Sequence, residues 1–330
     1  MTSSLHIIGA GAWGTALALT AERAGSHVTL HTQSQKQADE LSRSRENQLY
    51  LPGITLPDNL QITADRHALR DADALLIVIP AQRFEALCLS LKSILPPTIP
   101  VVLCSKGIEV GGNNRLLSEI AQAYLTNPLL VLSGPNLARE IAQDLPAATT
   151  LAGNKDVSHK VATMIHHTYF RCYTSEDIIG VQVAGALKNV LSIACGITQG
   201  MGLGHNAVAA LLSRGLIEMR RLGLQLGAIS DTFMGLAGVG DLSLTCSSEL
   251  SRNFSLGIAL GRGESLEAIL AKRVSVTEGV YTAKAVHELN ARLANELPIC
   301  EIVYRILYKN LSPQEALEQL AARPLKEEIY

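Results

Sequence analysis

The chain has 330 residues, and its six cysteines (88, 104, 172, 195, 246 and 300) include no CxxC pair. That absence removes the usual zinc-ligand spacings and leaves most of the thiols as small buried hydrophobes of a reducing cytosol. There is no long basic run, and the formal net charge is −2. Nucleic acid therefore has no electrostatic footprint. No apolar run of about 20 residues escapes interruption by glycine or polar residues, which argues against a membrane span. No basic segment precedes the first apolar stretch, LHIIGAGAWG, so no signal peptide is read and the expected location is cytoplasmic. Charged residues make up only 18% of the chain and hydrophobic ones 47%. This is a core-rich globular composition, and the length exceeds one ordinary core, so two domains are expected.

Short apolar runs at 5–9, 27–31, 60–63, 74–79, 100–104 and 129–133 alternate with helical stretches. That rhythm predicts an α/β fold with a parallel, doubly wound sheet covered on both faces. Two more strand-like pieces, 147–152 and 169–173, are able to extend it. From Asp177 onward strand runs stop and helix-length segments follow, at 177–198, 204–226, 265–271, 277–292, 298–308 and 313–321. Pro298 and Pro313 suit the first turns of the last two. The expected division is a nucleotide-binding domain over 1–175 and an all-helical domain over 176–330.

Gly9-Ala10-Gly11-Ala12-Trp13-Gly14 fits GxGxxG, follows a strand-like run and opens a helix-like one. In that context Gly9 serves the tight turn, Gly11 the approach of a pyrophosphate, and Gly14 the packing of helix on strand. The helix N-terminus then offers N–H groups and partial positive charge to phosphates. A ligand-free glycine turn is the plainer alternative. Trp13, the one tryptophan, packs on the cofactor or on the helix–sheet seam. The segment after the second strand, HTQSQKQ (31–37), has no acidic residue to bind a ribose 2′-OH and no arginine to clamp a 2′-phosphate. Gln33, Ser34 and Lys36 are able to hydrogen-bond one, so the cofactor is read as NAD or NADP.

Between Asp177 and Arg214 the only fixed charge is Lys188. Either it snorkels at a helix edge, or it sits in a dry site where a lysine loses proton affinity and serves as acid or base. Asp241 is similarly isolated; it is either a helix cap or the partner of Lys188. Ser251-Arg252-Asn253 is either ordinary surface or an anion site, to which the planar guanidinium is suited. Lys106 in CSKGIE and the turn in SGPNLARE each follow a strand, where open α/β sheets bind ligands. Spacing alone does not bring these groups together.

These stretches resemble the bacterial NAD(P)-dependent glycerol-3-phosphate dehydrogenases. The motifs are GAGAWGTALA (9–18), YLPG (50–53), SKGIE (105–109), SGPNLAREIA (133–142), AGALKNVLSIACGI (184–197), NAVAALLSRGLIEM (206–219), GLAGVGDLSLTC (235–246) and SRN (251–253), in family order. The resemblance implies an N-terminal Rossmann-type sheet followed by a helical domain. It implies interconversion of sn-glycerol 3-phosphate and dihydroxyacetone phosphate, a role in supplying phospholipid synthesis, and a homodimer. Lys188 falls on the family's proton acceptor, and Lys106 on the lysine at substrate and nicotinamide. Gly134, Asn136, Asp241, Ser251, Arg252 and Asn253 fall on substrate contacts. Ala12, Trp13, Gln33, Ala138, Arg252, Val276 and Glu278 fall on cofactor contacts. Arg252, Asn253 and Lys106 are expected to hold the phosphate. Four features depart from the family pattern: Asn136 replaces Ser or Thr, with its amide left to donate; Val208 replaces an arginine; SRNFSLG (251–257) lacks a frequent second arginine; Gln33 replaces a basic or histidine-like residue. His205 is read as non-catalytic. The rivals are a related dehydrogenase of hydroxy or sugar acids, and a nucleotide sensor without chemistry.

Overall fold

A computed structural model describes residues 2–273, 277–293, 295–325 and 327–328. The strands are β1 (Ser4–Ile8), β2 (His27–His31), β3 (Gln61–Thr63), β4 (Ala74–Ile77), β5 (Val101–Leu103), β6 (Leu129–Ser133), β7 (Ala147–Gly153) and β8 (Phe170–Ser175). They form one eight-stranded sheet of order β3-β2-β1-β4-β5-β6-β7-β8. All pairs are parallel except β6–β7. The helices of this half are α1 (Ala12–Arg23), α2 (Gln35–Ser44), α3 (Phe84–Leu91), α4 (Leu117–Tyr124), α5 (Ala138–Ala142) and α6 (Lys155–Ala162). The central strands are buried on both faces, which is why ALLI and VVL read as continuous apolar runs. β7 departs from the all-parallel expectation because the β6–β7 connection holds only the five-residue α5, too little for a crossover.

After β8 the chain is helical: α7 (Ile178–Gly200), α8 (His205–Gln225), α9 (Asp241–Ser247), α10 (Arg252–Gly261), α11 (Leu266–Ala271), α12 (Glu278–Leu293), α13 (Pro298–Tyr308) and α14 (Pro313–Ala321). α9 and α10 escape the sequence reading because each is short and interrupted by glycine or serine, which dilute the apolar period. α7 is buried almost along its whole length and joins a single core that runs from Ile77, Leu103 and Val131 of the sheet into the helices. By length and apolarity α7 alone among the described helices is able to cross a membrane, but 83% of its apolar window lies inside the fold. It is a central helix against which α8, α9, α10, α12 and α13 pack.

Two glycine pairs set the closest of these contacts. A Cβ on Gly257 would lie 2.2 Å from the Ile193 carbonyl oxygen, and one on Gly196 would lie 2.2 Å from that of Phe254. Gly200 and Gly261 repeat the arrangement one turn on. Backbone therefore meets backbone between α7 and α10, and the N-terminus of α10 is held against the middle of α7.

Candidate active site

The glycine loop connects β1 to α1. Gly9 has φ +119°, and a Cβ there would sit 2.1 Å from the Val78 carbonyl oxygen. A Cβ on Gly14 would sit 1.8 Å from the Gly9 carbonyl oxygen, so the third glycine seals helix to strand. Gly11 differs: nothing lies within 4 Å of the equivalent position, so its face opens outward. No acidic residue stands in the first turn of α1. The cradle thus has the open backbone and the unopposed helix dipole that a pyrophosphate requires. Among the described residues two buried polar atoms of the expected cofactor contacts lack partners, Trp13 Nε1 and Glu278 Oε2, the latter facing Gly107. Trp13 packs against the sheet-side core, on the helix–sheet seam. A dinucleotide fits this donor and acceptor set, and Gly9, Gly11, Ala12, Trp13 and Gly14 are the residues that would surround its phosphates.

Lys106 and Gly134 lie just beyond the C-terminal ends of β5 and β6, the edge on which open α/β sheets bind ligands. Lys106 Nζ donates to the Gly134 carbonyl at 3.0 Å and to Asp241 Oδ2 at 2.7 Å. From the other side Lys188 Nζ donates to Asp241 Oδ1 at 2.5 Å and to Thr245 Oγ1 at 2.9 Å. Lys188 belongs to α7, and its side chain is only 9% exposed. Gly185, three residues earlier, makes the approach possible: a Cβ there would lie 2.8 Å from Ser133 Oγ and 3.5 Å from Lys106 Cγ. Burial pulls the Lys188 ammonium down to about 8, against the attraction of Asp241, and the Lys106 charge lowers it further. The snorkelling alternative is thereby excluded, since the amine points into the fold and has two polar partners. Asp241 is the first residue of α9, yet its carboxylate binds the two lysines instead of capping the helix.

The shared carboxylate ties Lys106 to Lys188; the sequence reading put Lys106 at the substrate and nicotinamide and also at the phosphate end, and did not join it to Lys188. Asn253 also differs from expectation. Its Nδ2 donates to Asn189 Oδ1 at 2.8 Å and its Oδ1 accepts from Gly279 N at 3.0 Å. Asn189 Nδ2 in turn donates to the Lys106 carbonyl at 3.2 Å. The Asn253 side chain therefore braces the lysine loop. Ser251 caps that helix, accepting from Phe254 N at 3.3 Å, and lies 3.3 Å from Ser192 Oγ. The Arg252 carbonyl accepts from Arg273 Nη1 at 2.6 Å. Burial lowers the pKa of the Arg252 guanidinium, with Glu278 opposing. Asn136 spends an amide N–H on the Ala148 carbonyl at 3.0 Å, and its Oδ1 is buried without a partner.

Glu278 opens α12 and reaches back to the sheet domain, accepting from Ala81 N at 3.1 Å. Burial raises its pKa, offset by that N–H and by Arg252. Ala138 begins α5, directly after the SGPNL turn. Val276 lies outside the described residues. Val208 and His205 both lie in the first two turns of α8, and no described contact joins either to the lysine cluster. The sequence reading missed Thr245 and Asn189. Thr245 was detectable, because it lies four residues after Asp241 and therefore on the same helical face. Asn189 carries no such signal; only the fold shows that it links Lys106 to Asn253.

The comparisons with known proteins agree with one another. The family described as "NAD-dependent glycerol-3-phosphate dehydrogenase N-terminus" matches residues 4–158, and the corresponding C-terminus family matches 177–318. The glycerol-3-phosphate dehydrogenase (NAD(P)+) of Rhodospirillum rubrum is 47% identical, over 98% of this chain and 93% of that one. The enzyme of the same description from Caulobacter vibrioides is 46% identical, over 98% of both chains. Among solved structures, the glycerol-3-phosphate dehydrogenase of Coxiella burnetii superposes with a TM-score of 0.93 at 39% identity, covering 98% of this chain and 99% of that one.

Proposed function

The chain belongs to the NAD-dependent glycerol-3-phosphate dehydrogenase family, and from that premise we infer that it interconverts sn-glycerol 3-phosphate and dihydroxyacetone phosphate with NAD or NADP. The observation that carries the reading is the Lys188–Asp241–Lys106 cluster at the C-terminal edge of a sheet that ends in an open phosphate cradle. When bound, the nicotinamide supplies or accepts the hydride. The protein must then move one proton and neutralise one oxygen. Lys188 does the first: as an ammonium it donates to the oxygen of the ketone being reduced, and as an amine it takes the hydroxyl proton in the reverse direction. Lys106 supplies a second fixed charge for the developing alkoxide. Asp241 orients both ammonium groups, and Thr245 fixes the Lys188 rotamer.

The phosphate end is assigned to Arg252 and the N-terminus of α10, with Ser251, Asn253, Gly134 and Asn136 shaping the pocket. Binding energy gathered there positions the reacting carbon. A bound dinucleotide would be held along Gly9–Gly14, with Gln33, Lys106, Ala138, Arg252 and Glu278 as the residues for its further contacts. The reading divides the chain at the end of β8, near residue 175, into nucleotide and substrate domains. It extends to a cytoplasmic homodimer that supplies phospholipid precursors. Neither rival explains why two lysines share one carboxylate here. The test mixes the protein with dihydroxyacetone phosphate and NADH or NADPH and follows loss of near-ultraviolet absorbance. Substrate-dependent loss supports the reading, and none with either nucleotide overturns it.

A further inference from the structure

The C-terminal end of β2 is where a Rossmann sheet reads the adenosine ribose, through an acid for a 2′-OH or an arginine for a 2′-phosphate. Residues 32–37, which follow β2, contain neither. The fold brings two arginines there from elsewhere. Arg83, in the short turn after β4, has its Nη1 3.5 Å from Gln33 Oε1, a loose contact that a stronger acceptor would replace. Arg66, after β3, donates through Nη2 to the Thr32 carbonyl at 3.2 Å, while its Nη1 is buried without a partner among the described residues.

Among the described residues neither guanidinium forms an ion pair with a carboxylate. The nearby acids are engaged elsewhere: Asp65 Oδ1 accepts from His67 N at 2.8 Å, and Asp39 Oδ1 from Gln35 Nε2 at 2.8 Å. Lys36 pairs loosely with Glu40 at 3.9 Å, and Ser34 caps α2. Two guanidinium groups thus flank residues 32 and 33, neither held by a carboxylate within ion-pair distance among the described residues.

We propose that Arg83, with Gln33 and Arg66, forms a seat for the adenosine 2′-phosphate and makes this chain favour NADP(H) over NAD(H). The proposal rests on the dinucleotide reading above, and it corrects the expectation that no arginine is available. A phosphate ester bearing nearly two negative charges gains charge-assisted, forked hydrogen bonds at such a site, whereas a neutral hydroxyl gains little. The specificity comes from the β4 turn in place of the β2–α2 loop, where Gln33 has given up the basic role.

Calorimetry with adenosine 2′,5′-bisphosphate and with adenosine 5′-monophosphate tests the seat without any turnover. The intact protein should bind the bisphosphate at least about tenfold more tightly, since hydrogen bonds to a charged group are worth about 1.5–3 kcal/mol. Arg83→Ala should reduce that ratio at least about fivefold, and Gln33→Asp should bring it below one. A ratio near one in the intact protein, or an undiminished ratio in Arg83→Ala, overturns the proposal. Loss of the dehydrogenase assay with retention of the ratio would instead count against the substrate assignment alone.

Discussion

Asp241 accepts from two ammonium groups at once, Lys188 at 2.5 Å on one carboxylate oxygen and Lys106 at 2.7 Å on the other. The carboxylate is 1% exposed, so its charge acts on both lysines with little screening. It offsets part of the desolvation that lowers the Lys188 pKa, and it holds that pKa near the working range of a proton carrier.

The first expectation follows from that balance. With Lys188 held to about 8, the ammonium predominates below that pH and the amine above it. The kcat for reduction should fall as pH rises through about 8, and the kcat for oxidation should rise over the same interval. Asp241→Asn removes the charge that favours the ammonium, so both midpoints should move to lower pH and kcat at neutral pH should drop by about 10²–10⁴, the span of positioned proton transfer. Rate profiles against pH for both directions check this; a midpoint that stays or moves upward opposes it.

Arg252 is assigned to the far end of the substrate. Arg252→Ala should raise KM for dihydroxyacetone phosphate more than about tenfold, since a hydrogen bond to a charged group is worth about 1.5–3 kcal/mol. Steady-state kinetics at saturating nucleotide measure it, and an unchanged KM would remove Arg252 from the phosphate site.

Gly257 concerns packing alone. Its added methyl would meet the Ile193 carbonyl oxygen at 2.2 Å and the Gly196 Cα at 2.8 Å, so backbone must move. Gly257→Ala should cost about 1–3 kcal/mol by overpacking, read from denaturant midpoints. A midpoint equal to that of the unaltered protein would mean that α7 and α10 are not so closely apposed.

Glu218 lies far from the chemistry and was not singled out from sequence. Its two carboxyl oxygens accept from Ile299 N at 2.7 Å and Cys300 N at 3.1 Å, in the first turn of α13. Burial pushes its pKa up to about 7. The folded state thus favours the protonated form, so this group's contribution to stability is greatest in acid and declines as pH rises through about 7. Glu218→Ala should cost about 1–3 kcal/mol for each buried donor left unpaired, and Glu218→Gln less, because one acceptor remains. Equal melting temperatures for Glu218→Ala and the unaltered protein would show that the cap is idle.

What the sequence discloses depends on how local each cause is. The strands were legible because both-face burial forces continuous apolar runs, and GAGAWG because each glycine answers a local steric demand. Lys188 stood out because α7 tolerates no other charge. The pairing of Lys106 with Lys188 was hidden, since the two are joined only through Asp241, from a third element. The bracing role of Asn253 was hidden for the same reason: only the fold shows its amide set between Asn189 and Gly279. Arg83 was invisible as a partner of Gln33 because 50 residues separate them along the chain.

The central claim is that Lys188 carries the proton. It is tested most directly by the kcat of Lys188→Ala for dihydroxyacetone phosphate reduction, with the nucleotide dissociation constant measured on the same preparation. The account predicts a loss of about 10²–10⁴ or more in kcat, with nucleotide affinity changed less than about threefold. Turnover within about tenfold of the unaltered protein would contradict it.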